Sequence, residues 1–282
     1  MRDEERYVEE AVGSILRQTF GDLELIVVDD GSSDGTGEVL AALAATDRRM
    51  RIVRGEGSGL VEALNTGIAL ARGTYVARMD ADDVSLPERF ARQVDEMDAR
   101  PSLGALGTRI RYIDADGRPL GAWNVPVGTQ LVHWALAFGT PIAHPSVLMR
   151  RAELPDPPYR TSDPHAEDYD LWVRLSARTT LDNLEETLLE RRVHGASASD
   201  RNASAQEASS LRIQRRAIEA VLGREPPASH VAAVTRPRSL TELAAAVVLI
   251  GRLYSASPGG ADVRRDALRR VTAAAKTLMR SR

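Results

Sequence analysis

The feature that most constrains this chain is an alternation of short apolar runs with amphipathic stretches, in which two of the runs end on aspartate. Residues 23–28 read as a buried strand that runs into Asp29 and Asp30, and residues 74–79 as another that runs straight into Asp80. Between them the pattern predicts a helix over 34–45 with Ser33 or Asp34 as its N-cap. A short strand over 51–53, a turn marked by Gly55, Gly57 and Gly59, and a helix over 60–71 follow. This alternation predicts an α/β fold, with a mostly parallel, Rossmann-like sheet and helices on both faces. In such sheets ligands bind beyond the carboxyl ends of the strands, where the acidic clusters 29–34 and 80–83 both fall.

Further along, Pro87 opens a helix to about Ala99, and 103–112 with 119–122 read as a hairpin around Asp114-Ala115-Asp116-Gly117. A proline-rich loop precedes a helix over 167–177. The polar stretch Ser199-Asp200-Arg201-Asn202 reads as a linker. It divides a catalytic domain, 1–200, from a C-terminal helical region, 201–282, with helices over 203–222, 239–256 and 261–280.

Composition narrows the chemistry. The chain has no cysteine, which excludes disulfides, thiolate nucleophiles and Cys-based zinc sites; a metal must sit on oxygen or histidine ligands. No run of about twenty apolar residues occurs and the charged N-terminus is unlike a signal peptide, so a cytoplasmic protein is expected. The net charge of −3 conceals an asymmetry: residues 205–282 carry 14 Arg/Lys against 6 Asp/Glu, so the rest is acidic. An acidic front half argues against nucleic acid as a partner, whereas the basic tail suits an anionic surface.

Asp80 and Asp82 lie two apart at a strand end, so their carboxylates can share a side. Two like charges there repel unless a cation or hydrogen-bond donors offset them, and a hard divalent ion that also binds phosphates suits the task. The alternative is an Asp-rich turn capping the next helix. An EF-hand loop is excluded by its missing glycine and glutamate, and a D-x-D-x-T phosphatase by Val84. Asp29-Asp30-Gly31-Ser32-Ser33-Asp34 can offer a carboxylate to a base or sugar hydroxyl, or can simply form a well-capped turn. Glu167-Asp168-Tyr169-Asp170-Leu171-Trp172 places acids at a helix start, which suits either the helix dipole or a general base.

In their order these segments resemble glycosyltransferase family 2, which has the GT-A fold, over roughly residues 2–198. The resemblance is carried by Val28-Asp29-Asp30-Gly31-Ser32-Ser33-Asp34, by Ala63-Leu64-Asn65-Thr66-Gly67 with Ala71-Arg72-Gly73, and by Ala77-Arg78-Met79-Asp80-Ala81-Asp82-Asp83. Pro87-Glu88-Arg89 with Gln93, His144-Pro145-Ser146 and the 167–172 segment complete it. It implies an inverting transfer of a sugar from a nucleoside-diphosphate donor, UDP- or dTDP-linked, to a hydroxyl on a glycan or lipid-linked acceptor, as in envelope polysaccharide synthesis. It implies Asp168 as catalytic base and Asp82 as ligand of a divalent metal (Mg2+ or Mn2+), with His194 near that metal or the diphosphate. Asp29, Asp30, Asp80 and Arg192 fall on the donor side, and His144, Glu167 and Trp172 on the acceptor side.

Two departures stand out. Relatives open with an apolar strand ending in a Pro-x-x-Asn-like turn, where this chain has Met1-Arg2-Asp3-Glu4-Glu5, so the first strand is expected to be missing. Gly57 stands where an asparagine is usual. The absent strand supports an alternative: an impaired remnant of the fold serving as a binding or assembly subunit. A sugar-nucleotide nucleotidyltransferase would need a Gly-rich basic phosphate loop near the N-terminus, which is not present. Arg264, Arg265, Arg269, Arg270, Arg280 and Arg282 on the C-terminal helices suggest peripheral contact with the inner face of a membrane.

Overall fold

The computed structural model describes residues 1–194, 203–257 and 259–280. The linker expected at 199–202, and Arg282, lie outside the described residues.

The N-terminal unit opens with helix α1 (Val8–Leu16) and continues through β1 (Leu25–Asp29), α2 (Thr36–Thr46), β2 (Met50–Arg54) and α3 (Leu60–Leu70). β1 and β2 pair in parallel, Leu25 opposite Met50 and Asp29 opposite Arg54. Val8, Val12, Val27, Leu40 and Met50 form the core beneath them. Each contributes on the order of 1.5–3 kcal/mol by leaving water. Met1 lies along the other edge of β1: its ammonium donates to Val28 O at 2.8 Å, and Asp30 N donates to Met1 O at 2.9 Å. That exchange is the parallel-ladder pattern, with Met1 in register with Asp29.

The larger sheet has the order β3–β7–β5–β8–β4, with β6 on β5. Its strands are β3 (Tyr75–Ala77), β4 (Val84–Ser85), β5 (Leu103–Ile113), β6 (Pro119–Trp123), β7 (Leu148–Arg150) and β8 (Thr180–Arg192). Only β5 and β8 run parallel here, and the other pairings are antiparallel. The sheet is therefore mixed, and the expectation of mostly parallel strands is corrected. β5 and β6 are joined by a tight turn and so pair antiparallel, while β7, which follows the helix Thr129–Ala135 and a 3-10 turn at His144–Ser146, lies between β3 and β5, strands distant from it in sequence.

Helices α4 (Arg89–Ala99), α5 (Thr129–Ala135) and α6 (Glu167–Ser176) cover this sheet. Trp172, Leu171, Leu175, Tyr159, Ile142 and Met149 form the largest core, all at most 1 % exposed. The C-terminal helices are α7 (Ala203–Leu222), α8 (Ala228–Thr235), α9 (Leu240–Ala256) and α10 (Ala261–Arg280). They share an apolar cluster with Trp134 and Ala137 at and just beyond α5. Trp134 Nε1 donates to Asp266 at 2.9 Å, tying α5 to α10. No described helix is by itself long and apolar enough to cross a membrane.

Candidate active site

The acidic turn at 80–83 sits between β3 and β4. Just past the end of β3, the Arg78 guanidinium grips both carboxylate oxygens of Asp80, at 2.7 Å for the Nη1 contact. β4 pairs with the end of β8, Val84 opposite Glu190. Continuing that antiparallel register brings Asp82 opposite Arg192, which is why the last residues of β8 reach the cluster. His194 Nε2 lies 3.0 Å from Asp82 Oδ2, and the His194 ring packs against Tyr7 at 5.2 Å.

One carboxylate oxygen or more from each of Asp80, Asp82 and Asp83 fall within 4.8 Å of one another. Burial raises the pKa of Asp82, and Asp80 raises it further. Burial followed by the charges of Asp80 and Asp82 holds Asp83 well above the usual carboxylate range. Asp83 is 1 % exposed, accepts a hydrogen bond from Arg192 N at 2.9 Å, and leaves Oδ2 buried with no hydrogen-bond partner. An orphaned buried oxygen beside two more carboxylates is the donor set a hard divalent cation requires, so these residues fit such an ion.

The neighbouring acids have different duties. Asp29 accepts from Ser32 N at 3.0 Å and Ser32 Oγ at 2.6 Å through Oδ1, and its Oδ2 has no hydrogen-bond partner among the described residues. Gly31, at φ +80°, makes the turn that lets Ser32 fold back. Asp30 is spent on the glycine loop. Its two oxygens accept from Gly57 N, Ser58 N and Gly59 N at 2.7–3.0 Å. A Cβ on Gly55 would lie 2.6 Å from Asp30 Oδ1, so the loop closes on Asp30 only with glycine there. Asp30, expected on the donor side, therefore acts on this loop.

Arg192 likewise departs from its expected contact with the donor. It is 4 % exposed, and its guanidinium donates to Asp82 O at 2.9 Å, to Asp114 O at 3.2 Å and to Glu10 Oε2 at 2.6 Å. A cation held this way braces the acidic turn from behind, since its donors are taken by protein carbonyls and a carboxylate.

Asp168 opens α6 half-buried, with Oδ1 accepting from Tyr169 N at 2.7 Å. Burial, then the charge of Glu167, pushes its pKa up to about 6, while Arg78 acts in the opposite direction. The charge of Arg78 also acts on Tyr159 and His144, while its guanidinium is paired with Asp80. Glu167 and His144 are buried. His144 Nε2 lies 2.7 Å from Tyr159 OH, and burial, reinforced by Arg78, holds its pKa well below the usual histidine range. Its ring is thus neutral and packed.

Trp172 is a correction. It is 0 % exposed and stands edge-on to His144, 6.0 Å away, so it cannot stack on a bound sugar. Helical periodicity explains this, because α6 turns Leu171, Trp172 and Leu175 together into the core.

The sequence reading assigned no role to Arg78, Asp83, Tyr159 or Glu4. Its place two residues before Asp80 marks Arg78, and Asp83 adjoins the D-x-D pair. Tyr159 lies in the proline-rich loop, where its backbone exchanges two 3.0 Å hydrogen bonds with the Asn65 amide, a purely tertiary contact. Burial and the charge of Asp82 push the Glu4 pKa up to about 7.

Comparison with known proteins agrees with this geometry. The family model described as Glycosyl transferase family 2 matches residues 1–154. An O-antigen biosynthesis glycosyltransferase, WbnJ, of Escherichia coli is 32% identical over 197 residues, covering 68% of this chain and 77% of that protein. An uncharacterized glycosyltransferase of Haemophilus influenzae is 29% identical over 225 residues, covering 76% and 70% respectively. Among solved structures, S. aureus TarS 1-349 in complex with UDP-GlcNAc superposes with a TM-score of 0.62 at 17% identity, over 100% of this chain and 87% of that one. The mannosyltransferase PcManGT from Pyrobaculum calidifontis, in complex with GDP-Man and Mn2+, gives 0.59 at 18% identity, over 99% and 85%. The structural matches establish a GT-A fold, and the sequence matches the lineage: this chain belongs to glycosyl transferase family 2.

Proposed function

We propose that this chain is an inverting, metal-dependent glycosyltransferase that moves a sugar from a nucleoside-diphosphate donor, UDP- or dTDP-linked, to a hydroxyl of a glycan or lipid-linked acceptor. The observation that carries the reading is the convergence of Asp80, Asp82 and Asp83, with one buried Asp83 oxygen left without a hydrogen-bond partner. Asp168 supplies a carboxylate whose pKa is pushed up to about 6 by burial and by Glu167. A base near that value is ionised at neutral pH yet still accepts a proton readily. The alternative of a non-catalytic remnant has less support, because the chain keeps Asp29, Asp82 and Asp168 and the three acids of the turn converge.

In this reading Asp168 takes the proton from the acceptor hydroxyl as that oxygen attacks the anomeric carbon. The bond to the diphosphate breaks on the opposite face, so configuration inverts in one displacement. Asp82 with Asp83 and His194 would hold the divalent ion, Mg2+ or Mn2+. Such an ion supplies neutralisation of the charge that develops on the diphosphate. Asp80, oriented by Arg78, faces the donor, and the free oxygen of Asp29 receives a hydrogen bond from the base. Arg192 and Asp30 act as positioning residues, one behind the acidic turn and one inside the glycine loop. Glu167 lifts the basicity of Asp168, and His144 fixes Tyr159 on the acceptor side.

The direct test measures donor turnover with UDP-, dTDP- and GDP-linked sugars, with EDTA and with added Mn2+ or Mg2+. Turnover is expected to depend on the metal and to fall by roughly 10²–10⁴ in Asp82→Ala. Equal turnover in EDTA, or in Asp82→Ala, removes the metal assignment. An acceptor carried on a lipid would bring the enzyme to a membrane surface, cytoplasmic in this reading.

A further inference from the structure

The C-terminal region holds a helix that carries a row of exposed apolar side chains opposite its buried face. α9 buries Ala246, Leu249, Ile250 and Leu253 in the cluster around Trp134. On its opposite side Leu240 is 65 % exposed and Val248 52 %, with Val247, Ala244 and Gly251 exposed along the same stripe. A helix at a water boundary ordinarily places polar residues there. A groove of about 650 Å³ runs beside this stripe, lined by Leu222, Arg224, Val248, Gly251, Arg252 and Ser255. Arg224 and Arg252 are exposed and have no ion pair or hydrogen bond among the described residues. The nearby acids are engaged elsewhere: Glu225 pairs with Arg215, and Glu242 closes the helix cap with Ser239 and Arg238 N.

The arginines that the sequence nominated for this role are differently placed. Arg265 pairs with Asp262, and Arg269 and Arg270 with Asp266. Three of the six are therefore tied to carboxylates of α10, where they contribute less attraction.

We propose that the exposed face of α9, with Arg224 and Arg252, is a docking surface for an anionic lipid bilayer. The arginines take headgroup phosphates, and Leu240, Val247 and Val248 enter the acyl boundary. Two observations select this occupant. The charge of the region is strongly positive, 14 basic against 6 acidic residues over 205–282, and apolar side chains lie between the unpartnered cations.

The test is flotation of the full chain with phosphatidylcholine vesicles, with and without phosphatidylglycerol, scored by bound fraction rather than by sugar transfer. The chain is expected to float with anionic vesicles, to be released by high salt, and to stay behind with pure phosphatidylcholine. Arg224→Gln with Arg252→Gln is expected to weaken the association about thirty-fold, and Val248→Asp to weaken it without changing the circular dichroism spectrum. Five results overturn the proposal: no flotation, equal flotation with neutral vesicles, unchanged binding of the double variant, retention after a high-salt wash, or a dimer that Val248→Asp dissociates. Retention after the wash would instead point to insertion of the bent pair α8–α9, which together have the length and composition of a span.

Discussion

Asp168 concentrates the conflict between stability and chemistry. Its folded pKa is raised, so the folded state holds a proton that the unfolded chain releases, and stability from this group falls as pH rises toward about 6. Replacing Asp168 by Asn removes that cost. The variant is expected to melt at the same temperature or higher, stabilised by about 1–2 kcal/mol at neutral pH after discounting for its partial exposure. The same change should lower kcat/KM by roughly 10²–10⁴. In the wild type the acid limb of the rate profile should fall near pH 6. A variant that keeps its rate, or a limb far from that value, would remove Asp168 from the role of base. This residue was singled out through the family resemblance, because acids at a helix start suit simple capping equally well. Its Arg78 neighbour was readable only by its place two residues before Asp80, and Tyr159 not at all, since a loop residue 94 positions from Asn65 carries no periodic signal.

Among the elements, α6 is held from behind by the C-terminal region. Arg216 of α7 bridges Asp163 at 2.8 Å and Asp170 at 2.9 Å, Arg212 adds a second contact to Asp163, and Arg174 bonds Asp170 at 2.7 Å. Burial raises the Asp163 pKa, but Arg216 and Arg212 outweigh it and the net shift is downward. Arg216→Ala is expected to destabilise the fold by about 1–3 kcal/mol by leaving two buried carboxylates short of a partner. The sign follows from the lowered pKa: the contribution is present at neutral pH and lost as pH falls through the folded value. The gap between wild type and variant should therefore close below about pH 4. A gap that persists in strong acid would assign the loss to packing. Sequence reading found β1 and β3 as short apolar runs, and α3, α4 and α6 as amphipathic helical stretches. It missed β8, the strand that delivers Arg192 and His194, because Glu185, Glu186 and Glu190 make it resemble a solvated loop. Cross-strand and helix arginines at 92, 109 and 111 pair with those acids and make the strand tolerable.

For the molecule as a whole, the boundary expected near residue 200 is one of composition, and we propose that it does not divide the folding. α7–α10 complete an apolar cluster with Trp134 and Ala137, and Gln214 Nε2 donates to Phe138 O at 3.1 Å. A core shared across the boundary predicts a single unfolding transition in calorimetry. Asp266→Ala, which strips Trp134 Nε1 of its acceptor and Arg270 of its carboxylate, should lower that one transition as a whole. Two resolved transitions, with only the second moved, would make the helices an independent unit. The sheet shows the limit of whole-molecule reading. Strand positions were visible locally, but direction depends on which distant partner each strand finds, and β7 lies between β3 and β5 with no local sign of it.

The position of Met1 has a practical consequence for anyone handling this protein. Met1 N donates to Val28 O at 2.8 Å and Asp30 N donates to Met1 O at 2.9 Å, so the backbone at Met1 runs in step with β1. Residues joined ahead of Met1 in that direction would continue beside Val28 and Val27, on the edge of β1 that faces away from β2. An affinity handle fused there would therefore compete for a strand edge and is best cleaved before kinetics are compared.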